Sequence, residues 1–174
     1  MQALMLAAGM GKRLGKYTNE NTKCMVEVAG KKLIDRAIEA LKFADIKKFV
    51  VVIGYKGDLL KKYLEDNYLD MEFIFVENKD YDKTNNIYSL YLAKEYLKED
   101  DTIILESDLI YQRDVIKNLI DSGYKDAAIV AKYEQWMDGT VVFLDESNNI
   151  TEFIEKKNFI HSKIQDYYKT VNIY

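Results

Sequence analysis

The sequence predicts an α/β fold with a mixed, largely parallel sheet, and three observations support this prediction. Apolar strand-like runs alternate with segments of helical periodicity over residues 3–122. The apolar runs are uninterrupted, as in strands that helices cover on both faces. Over residues 127–155, short strand-like stretches follow one another, which favours antiparallel pairing in this later part.

The first elements follow directly from the apolar pattern. Ala3 to Ala8 is an apolar strand that runs into a glycine turn. Leu33 to Phe43 carries its apolar residues at helical spacing, so a helix with one buried face is predicted there. Phe49 to Ile53 is an uninterrupted apolar run that predicts a buried parallel strand, and the turn Gly54-Tyr55-Lys56-Gly57 ends it.

The same alternation continues to the end of the predicted sheet. Further elements are predicted as a helix at Asp58 to Tyr68, a strand at Met71 to Val76, a helix at Ile87 to Leu97, a strand at Asp101 to Glu106 and a helix at Val115 to Ser122. The later part is predicted to hold strands at Ala127 to Tyr133, Thr140 to Leu144 and Ile150 to Glu155, with a turn at Asp145 to Asn149.

Length, charge and cysteine content limit the class of protein. The 174 residues are 48% apolar, enough for one ordinary domain with its own core. The 25 basic and 29 acidic side chains are interspersed and give a net charge of −4, so we expect no nucleic-acid partner. Cys24 has no cysteine to pair with, and a Cys24–His161 nucleophilic pair would depend on one distant histidine. No signal-peptide pattern begins the chain, so we expect a cytoplasmic protein without membrane association.

The strand Ala3 to Ala8 runs into Gly9-Met10-Gly11-Lys12-Arg13-Leu14, which has the features of an anion-binding loop. Two glycines let successive backbone N–H groups turn toward an anion, and Lys12 and Arg13 add positive charge. A dinucleotide fingerprint needs a third glycine where this chain has Leu14, which disfavours a dinucleotide-dependent oxidoreductase but leaves it testable. The P-loop of ATPases is excluded because Arg13 follows the lysine in place of Ser or Thr.

Two segments carry a resemblance to a known family. The run Leu6-Ala7-Ala8-Gly9-Met10-Gly11-Lys12-Arg13-Leu14 resembles the A-A-G-x-G-x-R-L signature of the sugar-nucleotide and MobA-like nucleotidyltransferases. Thr84 to Tyr91 resembles the N-N-x-Y-S-L segment of LicC-type CTP:phosphocholine cytidylyltransferases and is similar to related phosphonate cytidylyltransferases. The resemblance implies a three-layer Rossmann-like nucleotidyltransferase fold over residues 1–174, one domain that lacks the C-terminal part of the family fold.

The resemblance also implies an activity. It is the Mg²⁺-dependent transfer of a nucleoside monophosphate, with CMP from CTP as the favoured case, to a small phosphorylated acceptor with release of pyrophosphate. Phosphocholine and aminoalkylphosphonates are the expected acceptors. A sugar-1-phosphate nucleotidyltransferase and a catalytically silent nucleotide-binding module of a larger bifunctional protein stay open as alternatives. So do a homodimer and a longer fused protein.

The residues that hold phosphates and metal are expected from the same resemblance. Arg13 and Lys23 are the expected catalytic cations, and Thr22 replaces the proline that usually precedes the lysine. Asp108 is the expected Mg²⁺ ligand at the end of a strand, where a carboxylate and phosphate oxygens suit this ion. Glu106 stands at the position of a first acid, and a site role and a solvated strand end are equally open for it. The expected nucleotide-binding residues are Leu6, Ala7, Ala8, Gly9, Gly11, Lys12, Asn85, Asn86 and Ser107.

Two further predictions concern a helix cap and the acceptor. Asn85 or Asn86 is predicted to cap the following helix, since Asn side chains accept from free N–H groups. The expected acceptor-binding residues are Trp136, Glu134, Asp138 and Lys156. An indole face attracts amine cations, carboxylates add negative charge, and Lys156 lies in a segment that resembles the family's E-K motif. A structural place for Trp136 at the edge of the core and an exposed edge position for Lys156 stay open.

Overall fold

Strands and helices alternate along the first of two structural units, Met1–Gly123 and Tyr124–Tyr174. The computed structural model describes the backbone of residues 1–174 and every side chain except that of His161. The first unit contains β1 (Gln2–Ala7), β2 (Glu27–Val28), β3 (Lys31–Lys32), α1 (Leu33–Phe43), β4 (Lys48–Ile53), α2 (Gly57–Asn67), β5 (Glu72–Glu77), α3 (Asn86–Leu92), α4 (Lys94–Glu99), β6 (Thr102–Glu106) and α5 (Val115–Asp121). Short 3-10 segments at Lys12–Thr18 and Lys23–Met25 lie between β1 and β2.

Four strands of the first unit form a parallel sheet in the order β5-β4-β1-β6. β1 is buried along its whole length because helices cover both faces of the sheet. One face, with Leu4, Leu6 and Val50, packs against residues of α3 and α4. The α/β fold class predicted from the alternating pattern is confirmed.

The predicted helix Ile87 to Leu97 is wrong, because the structure divides this stretch into α3 and α4. The break lies at Ala93, whose φ of −92° and ψ of 6° leave the helical region. The N–H of Ala93 donates to the Leu90 carbonyl at 3.1 Å, which tightens the chain before α4 begins. Ala93 is fully buried against the sheet, and the stretch contains neither glycine nor proline that would explain the break.

The second unit contains four short strands, β7 (Val130–Lys132), β8 (Val141–Leu144), β9 (Ile150–Ile154) and β10 (Tyr168–Thr170). They pair antiparallel in the order β7-β10-β8-β9. Tyr167 is fully buried at the centre, with the rings of Phe143 and Phe159 at 5.0 and 5.1 Å. Two 3-10 segments, Lys156–Asn158 and His161–Asp166, lie between β9 and β10.

Agreement with the sequence predictions is close for the regular elements. Apart from the divided helix and the stretch Ala127 to Tyr133, which is reduced to β7, the predicted bounds agree within one residue. The parallel and antiparallel strands lie in separate sheets, and the hairpin of β2 and β3 and the strand β10 were not predicted. None of the helices in the described part of the chain has the length and apolar character needed to span a bilayer.

Candidate active site

The carboxyl ends of β1 and β6 meet at one edge of the parallel sheet. Leu6 pairs with Glu106, so the segments that carry Gly9 and Asp108 leave neighbouring strands. The strand order reverses between β1 and β6, because β4 and β5 extend the sheet on the other side of β1. Open parallel sheets bind ligands beside such a reversal. The predicted convergence of these two segments on one crevice is therefore supported by the strand order.

The loop after β1 contains two glycines, and the structure of the protein itself requires glycine at only one of the two positions. Gly11 has a φ of 63°, and a Cβ there would come within 3.0 Å of Thr18 Cγ2 and 3.3 Å of Lys23 Cβ. Its conformation and its close neighbours both require glycine. Gly9 has no positive φ, and a Cβ on it would meet no protein atom within 4 Å. Packing within the protein explains Gly11 but not Gly9.

The turn between β4 and α2 forms hydrogen bonds with this loop. The Tyr55 N–H donates to the Ala8 carbonyl at 3.0 Å, and the Tyr55 hydroxyl donates to the Thr18 carbonyl at 3.4 Å. Gly54 lets the backbones approach, since a Cβ on it would lie 2.8 Å from the Ala8 oxygen. The sequence predicted a turn here but not its contacts with the loop.

The loop combines a buried strand end with two exposed cations. Leu6, Ala7 and Ala8 are buried, so only their backbone groups are available to a ligand. Lys12 and Arg13 are exposed, and their side chains extend from the 3-10 segment that follows Gly11. Positive charge is thus added to a loop whose backbone turns at two glycines.

Lys23 and Asp108, predicted separately as a phosphate ligand and a metal ligand, form an ion pair with each other. Their side chains are 24% and 36% exposed, so the pair is accessible from solvent. Lys23 follows Thr22, whose φ of −75° is within the range that proline imposes. Thr22 therefore replaces the usual proline without changing this backbone angle.

Glu106 is half-buried and hydrogen bonded, which is not the setting of a solvated strand end. The Asn86 Nδ2 donates to Glu106 Oε1 at 2.7 Å. Burial raises the pKa of Glu106, the charge of Asp108 raises it further, and Asn86 and Lys23 oppose the rise. The buried Ser107 separates the two carboxylates along the chain. The acidic segment is therefore linked to α3 as well as to Lys23.

The prediction that an Asn side chain caps α3 is wrong. Asn85 occupies the N-cap position in an extended conformation, but its side chain makes no capping hydrogen bond. The amide of Asn86 is directed instead to the carboxylate of Glu106 across the edge of the sheet. The loop before α3 is organised by Asn78, a residue that the sequence analysis did not identify.

The predicted acceptor residues all belong to the second unit and form two exposed pairs. Trp136 is 76% exposed, and its Nε1 donates to Glu134 Oε2 at 2.7 Å. Lys156 Nζ contacts Asp138 Oδ1 at 2.8 Å. This contact lowers the pKa of Asp138 and raises the pKa of Lys156. Trp136 is exposed, and the acceptor-binding role of these four residues stays a prediction.

Cys24 is fully buried and unsuited to nucleophilic chemistry. Burial raises the pKa of its thiol to about 11, so the thiolate is scarce at neutral pH. Thr22 Oγ1 lies 3.2 Å from the sulfur, within hydrogen-bonding distance. Cys24 is therefore the buried residue of the short 3-10 segment that carries Lys23.

Comparison with known proteins identifies the family. Residues 3–155 match the model of the MobA-like NTP transferase domain. The chain belongs to the MobA-like NTP transferase family. It is similar to CTP:phosphoglutamine cytidylyltransferase from Campylobacter jejuni, with 42% identity over 137 residues that cover 76% of this chain and 53% of the relative. It is also similar to choline-phosphate cytidylyltransferase from Streptococcus pneumoniae, with 34% identity over 129 residues, 72% of this chain and 55% of the relative.

A solved structure agrees with the MobA-like assignment. The inositol-1-phosphate CTP transferase from T. maritima superimposes with a TM-score of 0.74 and 25% identity, covering 99% of this chain and 68% of that one. The chain spans about half the length of the curated relatives it matches. The family and the fold predicted from the run Leu6 to Leu14 are confirmed.

The structure brings part of the predicted set of site residues together. The loop with Gly9 and Gly11, Lys23, Asp108 and Asn86 lie in one unit and are linked through the sheet edge and direct contacts. No periodic pattern in the sequence identifies Asn78 or Tyr55. Their one signal is position, since each follows soon after a strand of the parallel sheet.

Proposed function

We propose that this chain is a cytidylyltransferase, which transfers CMP from CTP to a small phosphorylated acceptor and releases pyrophosphate. One observation carries the proposal: Lys23 and Asp108 meet beside the glycine loop, where the strand order reverses. A cation for phosphates and a carboxylate for a metal are the groups that this reaction needs. The names of the relatives support CTP as the nucleotide, and they name different acceptors.

The glycine loop is proposed to hold the triphosphate. Gly9 is constrained neither by its φ nor by packing, which is expected where a phosphate approaches the backbone closely. Lys12 and Arg13 offset the negative charge of the phosphates from the exposed side of the loop. Asn85 and Asn86 are proposed to contact the nucleotide from the start of α3, and Ser107 from the end of β6.

Nucleotidyltransferases generally use a divalent metal, and we propose Mg²⁺ here. The residues fit this ion, because Asp108 is accessible and the second carboxylate, Glu106, is two residues away. Mg²⁺ is bound in many sites by one or two carboxylates together with phosphate oxygens. No cluster of three or more acidic, His or Cys side chains occurs among the described residues, and such a site does not need one. Bound there, the ion neutralises phosphate charge.

In the proposed reaction, a phosphate oxygen of the acceptor forms a bond to the α-phosphorus of CTP. The bond from this phosphorus to the bridging oxygen breaks, and the electron pair leaves with pyrophosphate. A phosphate is already a nucleophile at neutral pH, so proton transfer is a minor requirement. The main task of Arg13 and Lys23 is to position two anions and offset their repulsion. Lys156 is proposed for the acceptor phosphate, and Trp136 with Glu134 and Asp138 for a cationic head group.

The decisive experiment measures pyrophosphate release with Mg²⁺ and each of the four ribonucleoside triphosphates. The acceptor panel contains phosphocholine, 2-aminoethylphosphonate, a phosphorylated amide and glucose 1-phosphate, and CTP binding is measured in parallel by calorimetry. Release with CTP and a small phosphorylated amine or amide supports the proposal. Release only with glucose 1-phosphate would favour a sugar-1-phosphate enzyme. CTP binding without release would indicate a silent module, and no nucleotide binding would refute the proposal.

Variants of Asp108 and Arg13 test the roles proposed for these residues in the reaction. Asp108→Asn and Arg13→Ala are each expected to lower the turnover by about 100-fold or more, since Asp108 is proposed to hold the metal and Arg13 to offset the charge of the phosphates. Asp114→Asn is the matched control, because this exposed carboxylate precedes α5 and makes no side-chain cap. Normal turnover of Asp108→Asn with Mg²⁺ would show that the metal is held elsewhere.

A further inference from the structure

Asn78 is a buried amide whose side chain is fully engaged in hydrogen bonds. It follows β5 directly and is 1% exposed. Its Nδ2 donates to Thr84 Oγ1 and to Ser89 Oγ, each at 3.0 Å. Its Oδ1 accepts from the Asp80 N–H, also at 3.0 Å. Both N–H groups and the carbonyl of one buried side chain are therefore satisfied by the segment that follows it.

These bonds join three parts of the fold. The Asn78 N–H donates to the Ile53 carbonyl at 2.8 Å, which attaches the residue to the end of β4. Asp80 and Thr84 are the near and far parts of the loop between β5 and α3, and the Thr84 hydroxyl donates to the Asp80 carbonyl at 2.7 Å. Ser89 lies in the first turn of α3. Asn78 thus ties the sheet to the loop and the loop to the helix.

The start of α3 depends on these hydrogen bonds, because so short a helix has little stability by itself. It has seven residues and no side-chain cap, whereas isolated helices need about 12 to 15 residues to be even marginally stable. Its other polar contact at this end is the bond from Asn86 to Glu106, two residues before Asp108. The positions of Asn85 and Asn86 at the sheet edge are therefore fixed from one side by Asn78 and from the other by Glu106.

We propose that Asn78 is a positioning residue of the nucleotide site. It holds the first turn of α3 so that Asn85 and Asn86 face the nucleotide beside the segment that carries Asp108. Asn78 itself touches no reacting group, and its effect passes through Thr84 and Ser89. The proposal rests on the proposed function, because it assigns Asn85 and Asn86 to CTP.

The main test is Asn78→Asp, which keeps the shape but replaces both donors with a carboxylate oxygen. This oxygen would face Thr84 Oγ1, whose hydrogen is already donated to the Asp80 carbonyl. We expect the dissociation constant of CTP and the KM for CTP to rise about tenfold or more, as for the loss of a buried hydrogen bond, with kcat within about threefold. Asn67→Asp is the matched control, since the Asn67 amide donates to the Tyr63 carbonyl of α2, away from the loop.

A second pair of variants keeps the test decisive if Asn78→Asp does not fold. Thr84→Val preserves the shape and removes the hydroxyl, whereas Thr84→Ser preserves the hydroxyl. We expect Thr84→Val to weaken CTP binding and Thr84→Ser to retain it. Equal CTP affinity for Thr84→Val and the wild type would overturn the proposal, because the Asn78 bond to the loop would then have no effect on the site.

Amide hydrogen exchange of the free protein separates this proposal from the proposed function. Asn78→Asp is expected to speed exchange in residues 86–92 about tenfold and to leave α1 unchanged. Faster exchange with unchanged CTP affinity would overturn the positioning role. Unchanged exchange would overturn the structural premise. A wild type that binds no CTP would refute the proposed function, while the exchange result would still report on Asn78.

Discussion

Replacing Lys23 with methionine is expected to change two properties in opposite directions. Lys23→Met keeps the aliphatic stem and removes the ammonium group that pairs with Asp108. Transfer should fall by about 100-fold or more, because a cation that acts on the phosphates is lost. The affinity for a divalent metal in the absence of nucleotide should rise, because the metal no longer competes with Lys23 for the Asp108 carboxylate.

The size of the second effect follows from the setting of the pair. At 4 Å and an effective dielectric constant near 20, two unit charges attract by about 4 kcal/mol before desolvation. The side chains are 24% and 36% exposed, so solvent screens the two charges. The net attraction of the pair is therefore closer to the value of roughly 0.2 to 1 kcal/mol found for exposed ion pairs. About 1 kcal/mol corresponds to about a fivefold tighter dissociation constant for the metal.

The assay is a titration with Mn²⁺ followed by electron paramagnetic resonance, which counts the free ion without nucleotide or turnover. Lys16→Met is the control, since it removes an exposed lysine of the same loop whose ammonium lies over the Tyr17 ring, 5.5 Å from its centre. Asp108→Asn should abolish the tight binding in both backgrounds. An unchanged or weaker Mn²⁺ affinity in Lys23→Met would refute the idea that Lys23 and the metal share Asp108.

Three further predictions concern the loops around this pair. Gly11→Ala should lower the unfolding free energy by about 1 to 3 kcal/mol in urea titrations, because the φ of Gly11 is 63° and Thr18 is close. Gly9→Ala should leave the unfolding free energy unchanged but weaken CTP binding in calorimetry. Thr22→Pro should change the melting temperature and turnover little, since φ is already −75°. The raised pKa of Cys24 adds stability below its ordinary pKa of 9.0 that is lost as the pH rises toward about 11, and Cys24→Ala should flatten this part of the urea-midpoint profile.

The regular elements were predictable because their signals are local. The apolar run Phe49 to Ile53 and the helical spacing from Leu33 to Phe43 each determine how a short segment is buried. The division between α3 and α4 is different, because it lies at Ala93, a residue type that favours helices and that is buried here against the sheet. Nothing in the neighbouring sequence indicates a break at this position, so periodicity alone predicted one continuous helix.

The site was predictable in its parts but not in its connections. Glycines and cations in one run identified the loop, since an anion site needs both in sequence. The pairing of Lys23 with Asp108 joins residues far apart in the chain, and it follows only from the adjacency of β1 and β6. Asn78 has no pattern at all, because a single buried amide is defined by the partners that surround it.

The contrast between the two sets of candidate residues bears on substrate choice. The nucleotide side depends on buried contacts, such as those of Gly11 and Asn78, where substitution disturbs the fold. The acceptor candidates Trp136 and Lys156 are exposed side chains, each paired with an exposed carboxylate. Exposed residues change at little cost in stability, so this set can vary while the loop and sheet are retained. The relatives named above agree with this reasoning for the acceptor, since their names state different phosphorylated acceptors. The acceptor therefore has to be measured for this chain, whereas the proposed triphosphate site lies in the part of the fold that tolerates least change.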